Sequence, residues 1–179
     1  MKKDGWKNRI AEEKIVNKNK TTFQTAGSGK KAGTHEWYTP PYIIKALGEF
    51  DLDPCFSNPI WETAKKHIGK DEDGILQEWE GRVWCNPPYG EYAIEFVRKC
   101  SEHKNAITLL FVRTDTKMFH KYIFPKAHSI FFFDKRIQFY GKDGKVSKGS
   151  VTASCLIAWD KKNTEAIRKS GLKGRLVIL

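Results

Sequence analysis

Apolar residues in this chain fall into short runs separated by polar turns, and the runs follow two different periods. Tyr92–His103 spaces Ile94, Val97 and Cys100 three apart, which is one face of a helix. Ala106–Val112 is instead a continuous apolar run, the mark of a strand covered on both faces. Strands are likewise expected at Glu49–Cys55, Gly81–Cys85, Ser129–Phe133, Ser150–Trp159 and Arg175–Leu179. Pro40–Leu47 predicts a helix, with Thr39 as N-cap and Pro40 in the first turn, where its missing N–H costs nothing. Two more helices are expected, at Asp115–Ile123 closed by Pro125 and at Asn163–Ser170 stopped by Gly171. Trp61–Ile68 is short and fits neither period, and there is no internal repeat. Strands alternating with helices predict an α/β fold whose sheet is covered on both faces.

Residues 1–35 break the pattern. They hold nine basic and three acidic residues, and Ala26–Gly33 has the composition of a flexible linker. A short helix near Asn8–Val16 fits within them. This segment reads as a basic, flexible N-terminal arm that either holds DNA phosphates or has no specific role. The folded domain is then residues 36–179.

Charge sharpens this picture. The net charge is +11, and residues 113–150 form a second concentration, again nine basic against three acidic. Two such clusters in an otherwise near-neutral chain favour a nucleic-acid-binding face over uniform solubilisation. The candidate DNA contacts are Arg113, Lys117, Lys135, Arg136, Lys142, Lys145 and Lys148, on loops after strands and in the glycine- and lysine-rich stretch Gly141–Gly149. The four cysteines match no zinc-ligand spacing and read as free thiols of a reducing compartment. No stretch is long and apolar enough for a membrane helix, and Met1–Trp6 lacks the apolar core of a secretory signal. A cytoplasmic protein is expected, with no membrane partner; its oligomeric state is open, and a monomer suffices.

The chemistry concentrates in Asn86-Pro87-Pro88-Tyr89, directly after the apolar strand Val83-Trp84-Cys85. The carboxyl edge of an open α/β sheet is where ligands bind. A proline-stiffened turn would not need an amide before the prolines and an aromatic after them. An exocyclic amino nitrogen is a poor nucleophile because its lone pair is delocalised into the ring. Two acceptors that take both amino hydrogens push it towards tetrahedral geometry. The Asn86 amide oxygen and the Pro87 carbonyl supply such a pair, and Pro87 and Pro88 hold the backbone rigid. Tyr89 can stack on a base swung out of the duplex. Positioning and hydrogen bonding then carry the catalysis, with no metal and no covalent enzyme intermediate.

This tetrapeptide is similar to the catalytic motif of amino-methyltransferases acting on DNA. The wider chain resembles the compact, phage-type DNA N6-adenine methyltransferase (Dam) family. The matching pieces run in order from Glu36-Trp37-Tyr38-Thr39-Pro40 and Phe50-Asp51-Leu52-Asp53-Pro54-Cys55 through Asp73-Gly74-Ile75, Trp79 and Val83–Gly90. They continue with Leu109–Thr116 and Lys135-Arg136-Ile137-Gln138-Phe139, covering roughly residues 35–160. The resemblance implies a trimmed Rossmann-like methyltransferase fold with a mostly parallel sheet flanked by helices. It also implies S-adenosylmethionine as methyl donor and N6 of adenine in double-stranded DNA as acceptor. Trp37, Thr39 and Pro40 look like the segment lining the methionine end of the cofactor. Asp53, followed by Pro54 and Cys55, sits where it could bind the cofactor ammonium, directly or through water, and Asp51 ranks below it. Asp73 is placed for the cofactor adenine or ribose, with Asp71 and Glu72 as nearby rivals.

The chain departs from many methyltransferases in having no glycine in the turn from Asp53 to Pro59. The short stretch between Asp53 and Asn86 predicts that one or two helices are missing. With no separate recognition domain, short loops must read DNA sequence, which predicts short or loose specificity. Protection of phage DNA from host restriction follows by family analogy alone. Rival readings keep the fold but change the acceptor to cytosine N4, an RNA base or a protein glutamine, or keep DNA binding and lose catalysis.

Overall fold

The computed structural model describes residues 37–56, 60–69, 71–88, 90, 92–141, 143–146 and 152–179. The basic arm expected over residues 1–35 lies outside them, as do Tyr89, Lys142 and Lys148. The elements, in chain order, are α1 Pro41–Leu47, β1 Leu52–Asp53, β2 Lys66–His67, β3 Val83–Cys85, α2 Ala93–His103 and β4 Ala106–Phe111. A π-helical turn, Phe119–Ile123, leads into α3 Phe124–Lys126, followed by β5 Ser129–Phe133, β6 Ser154–Ala158, α4 Lys161–Lys169 and β7 Gly174–Ile178.

The seven strands form one sheet in the order β2-β1-β3-β4-β6-β5-β7. The expected mostly parallel sheet is not what forms. The β1–β2, β1–β3 and β3–β4 pairings are parallel, whereas β4–β6, β5–β6 and β5–β7 are antiparallel and span more residues. The connection from β5 to β6 explains the difference. It has no helix among the described residues, and a parallel neighbour requires a crossover that is usually helical. β6 therefore turns back and inserts between β4 and β5. Where a helix does intervene, as α4 does between β6 and β7, the two strands point the same way across β5. The chain is trimmed of helices rather than strands: neither link from β1 through β2 to β3 contains one among the described residues.

Alternation along the strands divides the core between two faces. On one face Val83, Cys85, Ala106 and Leu110 pack with Phe96, Val97 and Cys100 of α2 and with Phe119, Tyr122 and Ile123. On the other, Trp84, Ile107 and Leu109 pack with Ile43 and Leu47 of α1 and with Ile167 of α4. The buried stripe of α2 is Ala93, Phe96, Val97 and Cys100, so Phe96 takes the place expected for Ile94, which is only partly buried.

Two helix ends differ from expectation. α1 starts one residue later, with Pro40 as its N-cap at φ −56° and ψ 136° and Pro41 in the first turn, so Thr39 lies outside the cap. Pro125 does not close the helix before it. The Phe124 N–H reaches back five residues to the Phe119 carbonyl, and Pro125 then sits in the first turn of α3. There a missing N–H is tolerated.

Candidate active site

The chain leaves β1 for β2 on one side of the sheet and continues with β3 on the other. This reversal makes the carboxyl ends of β1 and β3 a topological switch point, the usual ligand position in open α/β sheets. Asp53 ends β1 and Asn86 follows β3, and the two strands are in register through Leu52 and Val83. Cys55 Sγ lies 3.4 Å from Cys85 Sγ across the same junction. Burial pushes the Cys55 thiol up to about 11 and the Cys85 thiol well above its ordinary value, so neither is a ready nucleophile.

Asn86 is oriented by the segment before α1. Its Nδ2 donates to the Trp37 carbonyl at 3.1 Å and to Thr39 Oγ1 at 3.3 Å. Trp61 steadies this segment, donating from Nε1 to the Thr39 carbonyl at 3.0 Å and packing edge-on against Tyr38 and Tyr140. Tyr38 and Tyr140 exchange two backbone hydrogen bonds of 2.9 and 3.1 Å. With Nδ2 committed, Asn86 Oδ1 points the other way, buried and without any donor among the described residues. An acceptor left unsatisfied costs on the order of 1–3 kcal/mol. At a ligand edge, an incoming N–H is the group that recovers it. Pro87 beside it is buried.

Asp53 is 4% exposed. Its Oδ1 accepts from the Cys55 N–H at 3.0 Å and its Oδ2 from the Thr63 hydroxyl at 2.5 Å. Burial outweighs these two bonds and raises its carboxyl to about 6. A carboxylate so poorly solvated gains strongly from a nearby cation. Asp51 is engaged at the other end of β1, accepting from the Arg82 N–H at 2.8 Å and from Lys65 Nζ at 3.3 Å.

Of the three acidic residues at 71–73, Asp73 is the buried one. Its backbone is left-handed at φ 51°, and its Oδ1 accepts from the Ile75 N–H at 3.2 Å. Asp71 and Glu72 are exposed, and Glu72 accepts from the Gly69 N–H at 2.9 Å. Gly74 explains the missing glycine in the β1 turn. A Cβ at Gly74 would lie 2.0 Å from the Pro54 carbonyl oxygen, so the close backbone approach comes from the second loop onto the first. Trp79 Nε1 holds the Gly74 carbonyl at 2.7 Å, and Lys99 Nζ holds that of Ile75 at 2.7 Å. Trp37, Thr39, Asp53, Pro54, Cys55 and Asp73 thus gather around the β1 and β3 ends, while Pro40 lines an adjoining cleft. Thr63 and Trp61 belong to the same constellation and carry no motif that singles them out, and Gly74, although part of the Asp73-Gly74-Ile75 piece, gives no sequence sign of its contact with Pro54.

Among the described basic candidates, Arg113, Lys135 and Arg136 lie on loops at this edge. Arg113 follows β4, and Lys135 and Arg136 follow β5, whose direction matches β3 and β4. All three are exposed, as are Lys117 and Lys145. Lys145 is 4.0 Å from Asp143. Its loop packs beside Ile60, since a Cβ on Gly144 would be 3.4 Å from the Ile60 side chain. No helix among the described residues is long and apolar enough to cross a membrane.

Neither a search of curated proteins nor one of solved structures gives a match. The sequence profile described as DNA N-6-adenine-methyltransferase (Dam) matches residues 27–173 of the 179. That span contains the Asn86 site, the Asp53 and Asp73 loops and the basic edge, and the chain belongs to the DNA N-6-adenine-methyltransferase (Dam) family.

Proposed function

We propose that the protein methylates N6 of adenine in double-stranded DNA, with S-adenosylmethionine as donor and in-line transfer to a base swung out of the duplex. One observation carries the reading: Asn86 Oδ1 is buried, held in one orientation through Nδ2, and has no donor among the described residues. It accepts one amino hydrogen of adenine while the Pro87 carbonyl accepts the other, which concentrates the nitrogen lone pair on the attacking side. Pro88 stiffens the loop, and Tyr89 stacks on the extruded base.

The residues around the switch point fit the donor. When bound, S-adenosylmethionine supplies an electrophilic methyl on a sulfonium. Asp53, with its carboxyl raised to about 6 by burial, would hold the ammonium, flanked by Pro54 and Cys55. Trp37, Thr39 and Pro40 would line the methionine end, and Asp73 would contact the ribose or adenine. Arg113, Lys117, Lys135, Arg136, Lys142, Lys145 and Lys148 would hold DNA phosphates.

Mass spectrometry of nucleosides from DNA incubated with the enzyme and labelled S-adenosylmethionine tests this. N6-methyladenine is expected, and Asn86→Ala should lower its rate of formation by about 100-fold or more. Labelled 4-methylcytosine without methyladenine would overturn the adenine assignment. Equal rates for wild type and Asn86→Ala would remove Asn86 from the chemistry.

A further inference from the structure

Beside the Asn86 site lies a second cleft of about 620 Å³, within the ~300–1,000 Å³ of ordinary ligand sites. Its walls come from four parts of the chain: Pro40 and Tyr42 at the start of α1, side chains between Phe133 at the end of β5 and Tyr140, Val146, and Gly171–Lys173 before β7. The Asp134 N–H donates to the Lys173 carbonyl at 3.2 Å, joining two of these walls. The cleft adjoins the active site through Pro40, next to Thr39, and through Tyr140, bonded to Tyr38.

Its lining suits one kind of partner. Lys135, Arg136 and Lys173 face Asp134 alone, and no ion pair among the described residues holds any of the three cations. Tyr42 offers a ring that is 55% exposed. Gln138 is presented by alternation: Ile137 and Phe139 on either side are buried at 1% and 2%, so Gln138 turns outward into the cleft. Its amide makes no hydrogen bond among the described residues. Cations for phosphate, a ring for stacking and a free amide for a base edge together form a nucleotide-binding set.

Building on the methyltransferase reading, we propose that this cleft takes a nucleotide flanking the target adenine, and that Gln138 reads its base. Tyr42 stacks on that base, and Lys135, Arg136 and Lys173 carry the adjoining phosphates. Gln138 is then a specificity-determining residue, which accounts for sequence readout without a separate recognition domain.

The test measures methylation of adenine in duplexes that vary one flanking position, together with oligonucleotide affinity by fluorescence anisotropy. Gln138→Ala should lower discrimination at one flanking position by about tenfold or more, and Gln138→Glu should move the preference towards cytosine, whose amino group suits a carboxylate. Tyr42→Ala should weaken oligonucleotide binding by about fivefold or more. Gln138 and Tyr42 variants that keep wild-type discrimination and affinity would overturn the proposal. So would adenosine monophosphate competing as strongly as an oligonucleotide, which would make the cleft a small-molecule site. A wild-type enzyme that forms no methyladenine yet loses oligonucleotide affinity on Tyr42→Ala would instead refute the adenine reading and leave the cleft as a nucleic-acid site.

Discussion

Thr39 Oγ1 stands 3.3 Å from Asn86 Nδ2 and accepts one of its hydrogens, which helps to hold the amide in place, while the acceptor-only Trp37 carbonyl sets which way the amide oxygen faces. The Trp37 carbonyl at 3.1 Å supplies the second acceptor. If the amide turned over, its oxygen would meet the Trp37 carbonyl oxygen, and the nitrogen would face the substrate amino group with the wrong hydrogen-bonding sense. Thr39→Val keeps the shape and removes one acceptor, at a cost of about 1 kcal/mol in orientation. Single-turnover methyl transfer should slow by about fivefold to tenfold, and Thr39→Ser should recover most of the rate. A Val variant as fast as the Ser variant would show that the hydroxyl does not orient Asn86.

Asp53 gives the site a pH dependence. Its folded-state carboxyl sits at about 6, above the ~3.9 of an unfolded chain. The folded state therefore holds a proton that the unfolded state releases, so stability from this group is full below about pH 4 and lost as pH rises through about 6. The difference is on the order of 3 kcal/mol for the unliganded protein. Cofactor binding on the proposed reading runs the other way, because an ammonium held by Asp53 would need the carboxylate. Calorimetric affinity for S-adenosylmethionine should weaken by up to about tenfold per pH unit below pH 6 and level off between pH 6.5 and 7.5. Asp53→Asn should flatten the profile at a weaker affinity. Equal wild-type affinity at pH 5 and pH 7.5 would rule out Asp53 as the ammonium partner.

Much of this architecture is legible in the residue pattern. β5 runs over Ser129–Phe133 as its apolar run predicts, and β4 differs from expectation by one residue. Asp53 and Asn86 are recognisable because one ends a strand and the other directly follows one, and such positions share one sheet edge. Strand direction is less accessible, since the placement of β6 depends on whether the long β5–β6 connection holds a crossover helix, and its length alone would accommodate one. The π-helical turn before Pro125 is equally hidden, because a five-residue reach leaves no periodic mark. Thr63 and Trp61 come to the site through irregular segments, contacting residues 10 and 22 positions away. No local period encodes such contacts.

Gly74 links the Asp73 loop to the Asp53 loop, and its replacement should be felt in both. A Cβ would fall 2.0 Å from the Pro54 carbonyl oxygen and 3.0 Å from its carbon, so backbone must move. Strain of this kind costs about 1–3 kcal/mol, or roughly 2–10 °C in Tm for a domain of this size. Gly74→Ala should lower the melting temperature by that amount and weaken cofactor affinity along with it. Gly69→Ala is the matched control, because its Cβ would meet only the flexible Glu72 carboxylate at 3.6 Å. Its effect should stay within about 0.5 kcal/mol. If Gly74→Ala melts like wild type, the two loops are not packed as described.

The basic edge predicts a measurable electrolyte effect. Each phosphate neutralised by a lysine or arginine releases condensed counterions, so the logarithm of DNA affinity falls linearly with the logarithm of salt concentration, by about 0.9 per contact. Arg113 is the sharpest single test. It is exposed, it lies two residues beyond Phe111 at the end of β4, and its carbonyl is tied to the Thr116 N–H at 3.1 Å, which anchors the loop independently of the guanidinium. Arg113→Ala should therefore weaken DNA binding similarly for all sequences and reduce the magnitude of the salt slope by about 1. Anisotropy titrations from 50 to 300 mM salt measure both quantities. An unchanged slope would mean that Arg113 does not contact phosphate, whereas a loss of affinity confined to particular sequences would assign its guanidinium to a base instead.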